Sequence, residues 1–345
     1  MSPYILTIIM ASLSAGTVIT MMSHHWLMAW IGLEINTLSI IPIIATSHNP
    51  RSTEAATKYF LTQAAASALI LFSSISNAWQ MGTWDIISTL SMPSHIMLTT
   101  ALAMKLGLAP MHFWLPEVLQ GSTMMTALII TTWQKLAPMT LIYLTINNLS
   151  STILMLMGTM SVIIGGWGGL NQTQTRKIMA YSSIAHLGWM ITISSIMTNM
   201  MIFNLIIYLI ITTTLFYTLM LSKSKTFQDT TTTWTTSPMM ATMMMITLLS
   251  LAGLPPLTGF APKLMILEEL ISQNLITTAT FMAMSTLLSL FFYLRLTYST
   301  TLTLSPNTMQ SKFKWRFKPT LSTQPMMTLS SLSIFLLPTT PLMLL

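Results

Sequence analysis

The stretch MKLGLAPMHFWLPEV, residues 104–118, sets a lysine beside a glycine and two prolines in the middle of an otherwise apolar run. Proline removes a backbone donor and clashes with the preceding turn, so a helix written over 94–119 has to open near Lys105 and Pro110. Working outward, the chain stays apolar in both directions. Of its 345 residues 52% are hydrophobic and only 6% are charged, against about 25% charged in soluble domains. So few charges cannot cover a water-soluble fold of this size, and the chain reads as an all-α polytopic membrane protein. Inside a bilayer, interrupted backbone is tolerated only where protein buries it or where it lines a hydrated cavity. Residues 104–118 therefore read as a site.

At about 20 residues per span, helices are predicted near 3–22, 26–46, 55–78, 94–119, 123–145, 150–170, 176–197, 200–222, 237–272, 275–298 and 322–343, about eleven in all. The ninth span repeats the signal of the fourth. It reads LAGLPPLTGFAPKL (251–264), again with Gly and Pro beside a lysine. The two broken spans lie five apart, and an odd offset inverts the second copy relative to the first. Residues 1–145 and 150–298 are thus predicted to be inverted five-helix repeats with discontinuous helices in spans four and nine, and 322–343 an added helix. In this pairing Glu34 of span two answers to His186 of span seven. MSPYILTIIMASLSAGTVIT begins directly as a membrane helix, without an Arg-rich presequence.

Basic residues fall on one set of joints. Arg51 and Lys58, Arg176 and Lys177, Lys223 and Lys225, and Lys312, Lys314, Arg316 and Lys318 follow even spans, and no Lys or Arg follows an odd one. The even joints and the N-terminus belong on the synthesis side, with the C-terminus across the membrane. The formal charge of +7 is then topological and needs no nucleic-acid partner. SKFKWRFKP (311–319) serves as an orientation signal or grips anionic headgroups. Arg295 snorkels to the interface or serves a proton exit. GGWGG (165–169) lacks the lysine and hydroxyl residue of a phosphate loop, and suits a tight turn or close helix packing. Glu54 and Lys58 form an i,i+4 pair. Asp85, Glu117, Asp229, Glu268 and Glu269 fall near span ends, and His24, His25, His48 and His95 in loops or at the interface.

Glu34, Lys105, Lys135 and Lys263 are different, because they cannot reach water. Lys105 lies about eleven residues, roughly 16 Å, from the nearer end of its span, beyond the reach of a snorkelling lysine. Left unpaired at mid-bilayer, the four would cost about 10–14 kcal/mol, as much as a typical domain's stability. They must face a polar interior. All four fall near half-depth, and three lysines share one glutamate. A row in one plane favours lateral proton transfer over fixed ion pairs.

Cysteine is absent, which excludes disulfides, thiolate metal sites and iron–sulfur clusters, and the six histidines show no metal-ligand spacing. No strand–turn–helix glycine fingerprint for nicotinamide or flavin is present. The 34 methionines are adaptable apolar filler.

Three segments now carry a family resemblance. KLGLAPMHFWLPEVLQG (105–121), RKIMAYSSIAHLGWM (176–190) and LAGLPPLTGFAPK (251–263) resemble the signature helices of the antiporter-like membrane subunits of NADH:quinone oxidoreductase, respiratory complex I. The likeness runs through nearly the whole chain. Its shortness, and lysine rather than glutamate at 263, bring it nearest the mitochondrial branch. The resemblance implies proton transfer at Glu34, Lys105, Lys135 and Lys263, with His112 and His186 supporting the hydrated path. It implies no cofactor and no metal on this chain, electron transfer from NADH to ubiquinone taking place in partner subunits. It also implies the inner mitochondrial membrane, with the N-terminus on the matrix side and the C-terminus in the intermembrane space. Expected neighbours are antiporter-like subunit 4, the small subunit 4L, and inner-membrane lipids such as cardiolipin. A stand-alone secondary cation/proton antiporter uses the same helices and remains the alternative; it would move ions when purified alone. A haem or quinone protein would show itself by absorbance, and a purely structural anchor is disfavoured by the mid-depth lysines.

Overall fold

A computed structural model of the chain describes residues 2–301 and 324–340. Among these there is no strand. Two isolated bridges, His25 with Asp85 and Gln174 with Thr226, tie loops together. The chain divides into two compact units, Met1–Ser161 with Ser194–Thr198, and Val162–Ile193 with Asn199–Leu345.

The first unit holds α1 (Pro3–Met22), α2 (Trp26–Ile44), α3 (Pro50–Met81), α4 (Met92–Leu106), α5 (Trp114–Gly121), α6 (Met124–Thr131) and α7 (Trp133–Thr145). Its helix starts follow local chemistry. Ser2 caps α1 ahead of Pro3, and the Asn49 N–H donates to Ser52 at 3.1 Å ahead of Pro50. α1 and α2 approach closely because Gly16 and Gly32 face each other. A Cβ on either would lie 2.9 Å from the other's carbonyl oxygen, the small-residue contact that membrane helices use. Lys58 in α3 bridges Glu54 at 2.5 Å and Glu117 of α5 at 2.6 Å. The expected i,i+4 pair is present, and it also ties the short α5 to α3.

α8 (Ser151–Gly169) runs from the first unit into the second, which continues with α9 (Thr175–Ser194), α10 (Thr198–Ser222), α11 (Phe227–Thr231), α12 (Thr233–Thr236), α13 (Pro238–Ala252), α14 (Phe260–Ser272), α15 (Ile276–Thr301) and α16 (Gln324–Phe335). GGWGG is a packing surface: a Cβ on Gly165 would stand 2.7 Å from the Ala185 backbone nitrogen of α9. α1, Trp26–Ser47, α3, α8, α10 and α15 are each long and apolar enough to cross a membrane. Lys312, Lys314, Arg316 and Lys318, and the ends of the expected 322–343 helix, lie outside the described residues.

One expectation is corrected. Span five is not one helix, because the backbone departs from helical geometry at Thr132 (φ −110°, ψ −71°). Thr131 and Thr132 donate their hydroxyls back to the carbonyls of Ala127 and Leu128. Such back-bonding competes with the helical ladder and bends it. Arg295 meets the end of α8. Its guanidinium donates at 2.6 Å to the Leu170 carbonyl and at 2.6 Å to that of Gln172, capping the end of α8, and lies 5.5 Å from the Phe227 ring centre. Hydrogen bonds from charged groups contribute about 1.5–3 kcal/mol each. Arg295→Leu is therefore expected to lower thermal stability by about 3 kcal/mol or more, measured as the melting of the detergent-purified assembly; an unchanged melting temperature would refute the cap.

Candidate functional site

The two broken helices open in the same way. α4 ends at Gly107 (φ +78°), whose N–H donates to the Ala103 and Met104 carbonyls, while the Leu108 N–H donates to Ala103. α13 ends at Gly253 (φ +83°), whose N–H donates to Leu249 and Ser250, while Leu254 donates to Leu249. Each is a Schellman cap with glycine at the left-handed position. The breaks, 107–113 and 253–259, are of equal length before α5 and α14 resume. The Ala109–Pro110 peptide in the first is cis.

A helix end leaves carbonyls without intrahelical donors, and its dipole makes that end negative. In the first unit the Trp114 Nε1–H donates to Met104 O at 3.2 Å, and Lys135 Nζ donates to Leu106 O. The same ammonium stands 5.7 Å from the Trp114 ring centre, within cation–π range. In the second unit Lys263 Nζ donates to Ala252 O at 2.8 Å and to Leu251 O at 3.2 Å. Each unit thus sets a lysine against the negative end of a half-helix. The lysines come from different places, Lys135 from α7, two helices beyond the α5 that follows the break, and Lys263 from α14, the helix that resumes directly after its break.

Around the first break the sequence-predicted residues converge. Lys105, in the last turn of α4, is 5% exposed and its Nζ meets no acceptor in the protein. Glu34, partly buried in α2, lies close enough to act on Lys105 and Tyr59 through space, and accepts from the Thr37 hydroxyl at 3.5 Å. Lys105 and Lys135 line one internal cavity. His112 sits in the break with its ring 4.3 Å from that of Phe113. It is buried and its Nδ1 lacks a partner, and it does not line that cavity. In the second unit His186 of α9 packs 5.5 Å from the ring of Tyr208 and within electrostatic range of Lys263. The Tyr208 hydroxyl bonds Ser183. Thr258, in the second break, donates to the Ser333 carbonyl of α16 at 2.5 Å, which anchors that break to the last helix.

Sequence reasoning missed Trp114, which holds both a half-helix carbonyl and the Lys135 charge, and three carboxamides on the wall of the cavity, Asn36 and Gln63 buried and Gln134 half-buried. The signal was available: uncharged amides within apolar spans need partners as hydroxyls do, and Asn36 stands two residues from Glu34, Gln134 next to Lys135, and Gln63 on a neighbouring helix.

Comparison with known proteins agrees with this architecture. The family model described as NADH:quinone oxidoreductase/Mrp antiporter, TM, matches residues 23–289, and that described as NADH dehydrogenase subunit 2 C-terminus matches 290–344. NADH-ubiquinone oxidoreductase chain 2 of Varanus melinus is 55% identical over 343 residues, 99% of each chain. A chain of respiratory complex I from Thermus thermophilus with bound aureothin superposes with a TM-score of 0.86 at 23% identity, over all of this chain and 80% of that one. A chain of the Mrp complex from Dietzia sp. gives 0.81 at 16% identity, over 96% of this chain and 74% of that one; both superpositions show a shared fold. With full-length identity above half and family models over nearly its whole length, the chain belongs to the NADH-ubiquinone oxidoreductase chain 2 family, within the antiporter-like membrane subunits of complex I.

Proposed function

We propose that this membrane subunit of complex I moves protons, and that Glu34, Lys105 and Lys135 carry them in the first unit and Lys263 in the second, with His112 and His186 supporting the path. The observation that carries this reading is Lys105, a buried cation-forming group with no protein acceptor, sharing a cavity with a second buried lysine. A static structural pair would be satisfied. A group that must take up and release a proton cannot be locked to a permanent partner, because the lock would fix one protonation state.

Glu34 supplies the control. At an effective dielectric near 20, unit charges attract by about 4 kcal/mol at 4 Å and about 2 kcal/mol at 8 Å. A movement on that scale changes the proton occupancy of Lys105 about thirtyfold. Approach of the carboxylate favours uptake, and its withdrawal favours release. The matching Schellman caps and equal breaks support two inverted repeats, 1–145 and 150–298. We further place the chain in the inner mitochondrial membrane with its N-terminus on the matrix side, beside subunits 4 and 4L and lipids such as cardiolipin, holding no cofactor or metal of its own.

The test is Lys105→Met in the assembled complex, reconstituted in proteoliposomes. Protons moved per electron are expected to fall while the redox partners stay intact, and an unchanged ratio would overturn the assignment. A stand-alone antiporter would instead move ions as a purified single chain, where this chain is expected to move none.

A further inference from the structure

We propose that the carboxamides of Asn36, Gln63 and Gln134 bind a single water that links Lys105 to Lys135, and so position the proton step between those two lysines. The inference rests on the proton-carrier reading above. It starts from buried polar atoms that the protein leaves without partners: Asn36 Nδ2 and Oδ1, Gln63 Nε2, Gln134 Nε2 and Lys105 Nζ. Asn36 and Gln63 are 2% and 3% exposed. Buried polar atoms are nearly always paired with protein or ordered water, and in a bilayer no bulk water can step in. Asn36 Oδ1 packs against Gly16 of α1; the other four atoms belong to residues of four helices, α2, α3, α4 and α7, that line one cavity. Such convergence calls for a polar occupant.

The size of the cavity names it. About 10 Å³ is open to the centre of a water molecule, room for about one water with two to four partners. An organic ligand does not fit, and two neighbouring lysines repel a metal cation. Lys135 is engaged at the Leu106 carbonyl while Lys105 touches no acceptor, so the two amines need an intermediary.

Carboxamides suit that intermediary for a chemical reason. Each offers two donors and an acceptor, and none of them titrates. A water held by amides can accept a proton from an ammonium on one side and give one to a neutral amine on the other, and the wall keeps neither. A carboxylate at the same place would retain the proton. A hydrocarbon would leave the water without partners. The terminal amide torsion is soft and roughly two-fold, so each amide can turn its oxygen or its NH2 toward the water as the lysines exchange charge.

The experiment uses the complete complex in proteoliposomes carrying Gln63→Met or Gln134→Met, near-isosteric changes that keep the packing and remove the hydrogen bonds. Coupled NADH oxidation and proton uptake are expected to fall roughly tenfold, less than for a lost proton carrier, with an enlarged solvent-deuterium effect. A role in packing alone would move neither the isotope effect nor the pumping. Wild-type pumping and isotope effect in both variants would overturn the proposal. A density map of the unmodified complex provides the second arm, independent of how well the variants assemble. It should show one water within hydrogen-bond distance of at least two of the amides and of a lysine. A dry cavity, or a chloride in its place together with a chloride requirement for turnover, would overturn the proposal. Should Lys105→Met abolish pumping while both Gln variants pump normally, the water falls alone. Should Lys105→Met pump normally, the carrier reading falls and takes the water with it.

Discussion

Replacing Lys135 by arginine is expected to stop proton movement through this chain as completely as replacing it by methionine, a loss of about two orders of magnitude, the lower end of what an acid–base group contributes. The two substitutions separate two roles that the geometry combines. Lys135 neutralises the negative end of α4 through the Leu106 carbonyl and stacks its charge on Trp114. Arginine can do both, since its guanidinium carries five donors and favours aromatic faces. It cannot release its proton in a protein. If Lys135 were only a cap, arginine would restore pumping and methionine would not. If it carries protons, both fail, and arginine preserves the fold better. Because Lys135 is 2% exposed, the larger side chain costs about 1–3 kcal/mol of overpacking, so activity is referred to the amount of assembled complex on a native gel. Normal proton-to-electron ratios in the arginine variant would show that Lys135 holds the break together and carries nothing.

The same contrast shows how far the sequence could be read. Both helix breaks were legible in it, because glycine and proline act locally: with prolines close behind them, Gly107 and Gly253 can take the left-handed conformation without steric cost, and the Schellman bonds follow from that within a few residues. The burial of Lys105 and Lys135 was legible as well, since depth along a span follows from rise per residue. The break at Thr132 was not. Two hydroxyls bonding back to Ala127 and Leu128 accompany it, but comparable threonines at 212–214 bond back in the same way inside an uninterrupted α10. Pro138, the one obvious breaker in that span, lies inside α7. A hydroxyl's choice between bending a helix and riding on it depends on what packs against the next turn, which a single sequence does not list. Partners across space were illegible for the same reason. Nothing near Arg295 in the chain points to the carbonyls of Leu170 and Gln172, and basic charge near a span end reads equally well as snorkelling.

The largest structural effect is expected from Gly259→Ala. The change is one methyl group, and the conformation at Gly259 (φ −67°) is open to any residue, so the cost is one of space alone. An alanine Cβ would lie 1.8 Å from the Ser250 carbonyl oxygen and 2.8 Å from its carbon. Both atoms are backbone and cannot swing aside as a side chain would. The Ser250 carbonyl also accepts the Gly253 N–H at 3.0 Å, so pushing it away undoes the cap that ends α13 and displaces the Leu251 and Ala252 carbonyls on which Lys263 rests. Gly253→Ala is milder in kind, with about 1–2 kcal/mol for the left-handed backbone and a contact at 2.9 Å with the Lys263 side chain, which can shift. Gly82→Ala is the control, because φ is +72° there too but nothing lies within 4 Å; it should cost only the backbone term, about 1–2 kcal/mol. The expected order of assembled complex is therefore Gly82→Ala near the unmodified level, Gly253→Ala assembled with impaired pumping, and Gly259→Ala scarcely assembled. If Gly259→Ala accumulated as well as Gly82→Ala, α14 would not be seated against the end of α13, and the second break would not hold Lys263 where its carbonyls are.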